Sequence, residues 1–309
     1  MKIRHLILRI LLWAIANTAA GAAIGLAIAA FQGGQLDWRI IWVSVLFGNV
    51  VGFTAIVSAV YVFPRFLVLP DPLRMLLQIT TLLGVSVLGT GIVGRTIAGK
   101  LGELGHDVSI GTRDPAALAE RTEPDYMGNP PFPVWQADHP NIGVATFEDV
   151  ASRSELLVNA TNGAGSLEAL LAAGEHNLDG KILIDVSNPL DFSHGMPPSL
   201  FVSNTDSLAE QIQRAFPGAD VVKTLNTVAA WVMVNPAAVG GGEHTMFLSG
   251  DDADAKAEVT TLLKEGFGWK HVMDLGGIQS ARGMEMALPL WLAIVTASND
   301  PMFNFSIVR

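Results

Sequence analysis

The sequence predicts an α/β protein, a Rossmann-type doubly wound parallel sheet preceded by a transmembrane α-helical hairpin. Three observations carry that prediction. Residues 84–94, Gly-Val-Ser-Val-Leu-Gly-Thr-Gly-Ile-Val-Gly, run an apolar strand into a G-x-G-x-x-G turn and a helix start. Strand-length apolar runs then alternate with helical patterns through the rest of the chain. The front of the chain instead holds two long stretches without a charge, residues 10–31 and 40–63. Charge divides the same way: of a net −10 over 309 residues, residues 1–74 carry six Lys/Arg and two Asp, a net +4, which leaves −14 for residues 75–309. Two domains are therefore expected, a membrane anchor over 1–74 and a dinucleotide-binding Rossmann domain with a small C-terminal α/β extension over 75–309.

Taken in order, the two apolar stretches of 22 and 24 residues would each span about 33–36 Å as helix, enough to cross a bilayer. The loop between them holds only Asp37 and Arg39, whereas Lys2, Arg4 and Arg9 precede the first span and Arg65 and Arg74 follow the second. That bias places both chain ends, and hence the second domain, on the cytoplasmic side, with Trp38 and Trp42 as interface anchors. Cleavage as a signal peptide is disfavoured, because the apolar core is too long and a second span follows. Gly21 with Gly25 and Gly48 with Gly52 fit close packing within the hairpin or a homodimer. Neither span holds His, Asp, Glu, Lys or Arg, so the hairpin reads as an anchor rather than a haem, proton or ion path. Prolines in 64–74 make a connector, and the apolar residues 75–83 are too few to span alone.

Each motif glycine has its own expected task. Gly89 permits the turn, Gly91 lets the backbone approach a pyrophosphate and Gly94 lets the helix pack on the strand. Phosphate oxygens would meet Thr90, Ile92 and Val93 at the helix N-terminus, where the macrodipole is positive. A second strand over 108–112 ends at Thr112-Arg113, a hydroxyl and a guanidinium suited to a 2′-phosphate, which favours NADP(H) over NAD. Asp114 would contact a ribose instead if the strand ended later.

Residues 122–141, with Pro124, Pro130, Pro131 and Pro133, read as surface padding rather than a lid. Strands follow over 142–146, 156–161, 181–186 and 221–225, then an edge strand over 244–249, a helix over 252–265, a strand over 271–274 and a helix over 280–295. In such a sheet ligands bind outside the carboxyl ends of the strands, which singles out Thr161, Asn162, Ser187, Asn188 and Asn226. Turn chemistry alone also accounts for these residue types. Asn162, Asn226 and His194, the last with Asp191 nearby, are the catalytic candidates. His139, His176, His244 and His271 lack metal-ligand spacing, and no metal is expected. The chain has no cysteine, which removes disulfides and a thiolate nucleophile. Its acidic second domain offers no basic stripe for nucleic acid. The chemistry should be that of a bound cofactor.

The run VSVLGTGIVGRTIAGKLGELGHDVSIGTRDP, together with LLVNATNG, ILIDVSNPLDF, VVKTLNTV, MFLSGDDADAK, MEMALPLWL and MFNFSIVR, resembles the coenzyme F420-dependent NADP oxidoreductase family, in its bacterial reductase-like branch, over about residues 84–309. The resemblance implies NADP(H) over the glycine turn at Gly89, Thr90, Gly91, Ile92 and Val93, and its 2′-phosphate on Thr112 and Arg113. It also implies a deazaflavin stacked on the nicotinamide near Thr161, Asn162 and Asn226. The expectation is a membrane-anchored oxidoreductase moving hydride between NADP(H) and a small redox acceptor, coenzyme F420 or a flavin. The rival is a non-catalytic, membrane-anchored NADP(H)-sensing module.

Overall fold

The structure, a computed structural model, describes residues 84–125 and 128–308, within the unit Leu82–Arg309. The expected anchor and connector, residues 1–74, and the apolar stretch 75–83 lie outside the described residues. Among the described residues no helix is long and apolar enough to cross a membrane.

The chain begins with β1 (Gly84–Leu88), α1 (Ile92–Glu103), β2 (Asp107–Thr112), α2 (Pro115–Ala119), α3 (Phe132–Ala137), β3 (Gly143–Thr146), α4 (Phe147–Arg153) and β4 (Leu156–Asn159). There follow α5 (Ser166–Ala173), α6 (Glu175–Leu178), β5 (Ile182–Asp185), the ribbon strands β6 (Leu190–Asp191) and β7 (Ser199–Leu200), α7 (Leu208–Ala215) and β8 (Asp220–Thr224). The last elements are α8 (Ala230–Val234), β9 (Thr245–Ser249), α9 (Ala253–Thr261), β10 (His271–Asp274) and α10 (Ala281–Ser298). The main sheet has eight strands in the order β3-β2-β1-β4-β5-β8-β9-β10. Its first six are parallel and reproduce the dinucleotide-fold order 3-2-1-4-5-6.

The sheet is not parallel throughout. β9 pairs antiparallel with β8 and parallel with β10. The connection from β8 to β9 holds only α8 and two 3₁₀ turns, not the long crossover helix that a parallel neighbour demands, whereas α9 supplies that crossover between β9 and β10. The expected edge strand over 244–249 is therefore interior, and β10 is the edge. Period-2 and apolar patterns do not encode strand direction, so this reversal had no local signal.

Parallel strands are covered on both faces, and the apolar side chains divide accordingly. Val85 and Val87 of β1 pack with Ile97 and Leu101 of α1 on one face, and Leu88 packs with Phe147, Val150 and Leu157 on the other. Trp269 is 1 % exposed and donates its indole N–H to the Met233 carbonyl at 2.9 Å.

Residues 122–141 also depart from their reading as padding. They contain α3, whose Phe132 is buried, and they are tied to the glycine turn by Arg95. Arg95 is 6 % exposed, donates Nη1 to the Pro130 carbonyl at 2.6 Å and Nε to the Thr90 carbonyl at 3.0 Å, and sits over the Phe132 ring. Burial lowers its pKa and Asp125 opposes that shift. The segment thus buttresses the turn that the first motif forms.

Candidate functional site at the carboxyl edge of the sheet

The glycine turn joins β1 to α1, and its three glycines do three different things. Gly89 has φ 125°, and a Cβ there would lie 2.4 Å from the Ala160 carbonyl oxygen. A Cβ at Gly94 would lie 2.1 Å from the Gly89 carbonyl oxygen, so α1 seats on the turn only without a side chain. Gly91 has an ordinary backbone, φ −73° and ψ 179°, and a Cβ there would meet nothing within 4 Å. Its freedom from a side chain is needed for neither fold nor conformation, which fits space kept for a ligand's close approach. Gly91 is also the N-cap of α1, which has no side-chain cap and no acidic residue in its first turn. The first-turn N–H groups of Ile92 and Val93 have no intrahelical acceptor and sit at the positive end of the dipole. These residues fit a pyrophosphate.

Beside the turn, the Gly89 N–H bonds the Gly111 carbonyl at 3.2 Å, which brings the exit of β2 alongside. Thr112 ends β2 and Arg113 follows it. Arg113 is exposed and its guanidinium lies 3.5 Å from Glu168, with both side chains more than 70 % exposed. Such a pair is worth at most about 1 kcal/mol and yields readily to a stronger anion. Asp114 is committed elsewhere: its carboxylate caps α2, accepting from Ala117 N at 2.9 Å. The strand ends before it, and one of its two oxygens is engaged in that cap.

Along the other side of β1 the strand exits form one continuous strip. The Ala160 N–H bonds the Leu88 carbonyl at 2.9 Å, and a Cβ on Gly163 would meet the Asn188 carbonyl at 1.9 Å. Thr161 donates its hydroxyl to Asn159 Oδ1 at 2.6 Å, and Asn162 accepts from Ala164 N at 3.0 Å, which is turn chemistry. Ser187 donates to Asp185 Oδ1 at 2.7 Å. Asn188 and Asn226 pair reciprocally: Asn188 Nδ2 donates to the Asn226 carbonyl at 3.0 Å, and Asn226 Nδ2 donates to Asn188 Oδ1 at 2.9 Å. Asn226 Oδ1 and Thr227 Oγ1 are buried without a partner. An unmet buried acceptor costs about 1–3 kcal/mol, and an orphan at a strand exit is where a ligand donor would repay it. His194 is not brought to this strip; it is exposed on the turn between β6 and β7. Its neighbour Asp191 is held below the usual carboxylate range chiefly by the Ser193 backbone N–H, with a small contribution from His194.

The residues that sequence reasoning missed lie just beneath. Lys223, fully buried in β8, is 2.8 Å from Asp185 and 3.1 Å from Glu285, both also buried. Burial pulls its pKa down, but the two carboxylates outweigh burial and raise it, so the ammonium stays charged. A lysine inside Val-Val-Lys-Thr-Leu and a glutamate inside the apolar α10 were readable as anomalies; their meeting was not.

An uncapped helix start, a basic residue at the second strand exit and an amide-lined strip at the fourth to sixth fit a dinucleotide-dependent class of site. Residues 84–189 match the family described as NADP oxidoreductase, coenzyme F420-dependent. The crystal structure of an Arthrobacter sp. FB24 protein, described as a candidate F420-dependent NADP-reductase, is 57 % identical, covers 74 % of this chain and 100 % of its own, and superposes with a TM-score of 0.71. Rat metalloreductase STEAP3 is 29 % identical over 209 residues and human metalloreductase STEAP2 is 28 % identical over 212, each match covering 67 % of this chain. The chain spans only 36 % of the length of either. The chain belongs to the coenzyme F420-dependent NADP oxidoreductase family and is an NADP-dependent reductase.

Arg113 gives this site its first test. Charge-assisted hydrogen bonds are worth roughly 1.5–3 kcal/mol, so Arg113→Ala should weaken NADPH about 10- to 100-fold and leave NADH nearly unchanged. The loss should fall on KM rather than kcat, because the contact is remote from the reacting ring. Removing the competing carboxylate with Glu168→Gln should tighten NADPH, by at most about fivefold given the small value of an exposed pair. Equal losses for both cofactors in fluorescence titrations would place Arg113 on the adenine or the fold.

Proposed function

We propose that this protein moves hydride between NADP(H) and a flat redox acceptor, a deazaflavin such as coenzyme F420 or a flavin, along the strip from Gly91 to Asn226. NADPH supplies the hydride. The chain supplies placement: α1's first turn holds the pyrophosphate, Arg113 the 2′-phosphate, and the exits of β4, β5 and β8 the reacting end. The observation that carries the reading is Gly91, bare where neither packing nor conformation requires it. What supports a ring acceptor is the chemistry of the exits, amides and hydroxyls engaged with one another rather than a poised acid or base. Two stacked rings need positioning more than proton transfer.

In the same proposal residues 1–74 anchor the domain to a membrane with the domain facing the cytoplasm; retention in the pellet after carbonate extraction supports this, and release of intact protein refutes it. The internally satisfied hydroxyls of Thr161 and Ser187 also suit the rival reading, an NADP(H) sensor. Anaerobic mixing of protein and NADPH with F420, FMN and riboflavin separates the two. Reduction of one acceptor well above the protein-free rate supports the reductase with that acceptor; tight NADPH binding with none reduced supports the sensor.

A further inference from the structure

Five residues at the exit of β8 concentrate features that oppose folding. Lys223 is 0 % exposed, Leu225 is left-handed at φ 63°, and the orphan atoms Asn226 Oδ1 and Thr227 Oγ1 follow. Outliers of this kind persist only where their surroundings over-determine them, and they cluster at functional sites. Here the surroundings converge on one ammonium. Lys223 Nζ donates to Asp185 Oδ2 at 2.8 Å and to the Ser187 carbonyl at 2.5 Å, and it lies 3.1 Å from Glu285 Oε1. Asp185 extends the network to β4, since its Oδ1 accepts from Asn159 Nδ2 at 2.8 Å and Asn159 in turn accepts from Thr161. Glu285 extends it to α7 by accepting the N–H groups of Leu208 at 2.8 Å and Ala209 at 3.1 Å. One buried charge thus joins the exits of β4, β5 and β8 to α7 and α10.

The amide pair sits at the end of these connections. Asn188 follows the Ser187 carbonyl that Lys223 holds, and Asn226 follows Leu225 just past the end of the strand that carries Lys223. Asn226 Nδ2 is committed to Asn188 Oδ1 and to the Met284 carbonyl at 3.2 Å, which fixes the amide and leaves Oδ1 as the free acceptor.

We propose that Lys223 is a positioning residue for hydride transfer: clamped by Asp185 and Glu285, it fixes the Ser187–Asn188 and Leu225–Thr227 exits and so presets the Asn188–Asn226 pair at the reacting end of the cleft. The proposal rests on the NADP(H) oxidoreductase reading above. Lys223 acts through these residues and touches no ligand.

The alternative is a buried ion cluster that only stabilises the fold, and charge balance separates the two. Lys223→Met leaves two buried carboxylates without their cation and loses stability on either account. The double variant Lys223→Met/Asp185→Asn removes one charge of each sign and so keeps the net charge of the cluster; Glu285 stays held by the Leu208 and Ala209 N–H groups, and the new amide oxygen still accepts from Asn159 and Ser187. Its thermal midpoint should return to within about 4 °C of wild type, the shift that roughly 1 kcal/mol gives a domain of this size. Its single-turnover rate of F420 reduction by NADPH should stay about 100-fold down, the cost of a misplacement near 1 Å. Amide hydrogen exchange provides a readout without turnover: residues 186–190 and 225–229 should be protected by NADPH in the wild type and lose that protection in the double variant. Recovery of midpoint, rate and protection together would overturn the proposal. If the wild type reduces no acceptor, the reductase reading fails by itself, and exchange still decides: protection lost in the double variant supports Lys223 as the organiser of the exits, and protection retained overturns it. Should the double variant not fold, Asp185→Asn alone, which loosens the Lys223 contact and keeps the Glu285 pair, is read the same way.

Discussion

Gly91→Val should abolish useful binding of both NADPH and NADH while leaving the protein folded. The backbone there is one any residue adopts, and a Cβ meets nothing within 4 Å. An apolar residue at an N-cap costs about 1 kcal/mol, or a midpoint shift of about 2–4 °C for a domain of this size. The isopropyl group would instead stand in front of the free N–H groups of α1, where phosphate oxygens need to come within hydrogen-bond distance. A loss of affinity on the order of 100-fold or more, about 2.8 kcal/mol, is expected for both cofactors. That profile differs from Arg113→Ala, which discriminates between them. Isothermal titration with each cofactor, beside a thermal melt, checks it; wild-type affinity in a folded Gly91→Val protein would remove the pyrophosphate from this turn.

Gly94→Ala should do the reverse and fail in the fold. Its methyl carbon would lie 2.1 Å from the Gly89 carbonyl oxygen and 3.0 Å from the Gly89 carbonyl carbon, both backbone atoms that cannot swing aside. Helix α1 would have to retreat, and α1 carries Ile97, Ala98 and Leu101, each at most 1 % exposed, against Val85 and Val87. Opening that core while straining the turn belongs with the rare single substitutions that cost more than about 4 kcal/mol. A midpoint loss of about 10 °C follows for a domain of this size. An unchanged melt would mean the helix has slack that the packing of α1 on β1 does not show.

The parts legible in the sequence were those set by local chemistry. Three glycines at fixed offsets after an apolar strand announced the turn, and Thr112-Arg113 marked the end of β2. The capping of α2 by Asp114 became visible only with the fold. Strand direction was not legible, since β9 looks the same whether it runs with β8 or against it. Arg95 was passed over as one more helix residue because its partners, Thr90 and Pro130, are joined only by the folding back of residues 122–141. Lys223, Asp185 and Glu285 are separated by 38 and 62 positions in sequence, and a buried charge cluster is recognisable only when its members meet. Asn188 and Asn226 were singled out by topology, but their mutual pairing, which orients them, is a tertiary fact.

The account's central claim is direct hydride transfer along the strip between the glycine turn and the β8 exit. Its most direct measurement is anaerobic single turnover of the protein with NADPH stereospecifically deuterated at nicotinamide C4, mixed with oxidised F420, followed by mass analysis of the reduced deazaflavin. The account predicts that deuterium from one C4 face, and not the other, appears in the acceptor, and that Gly91→Val abolishes this transfer. NADPH bound at the turn with no label reaching the deazaflavin or a flavin would contradict it.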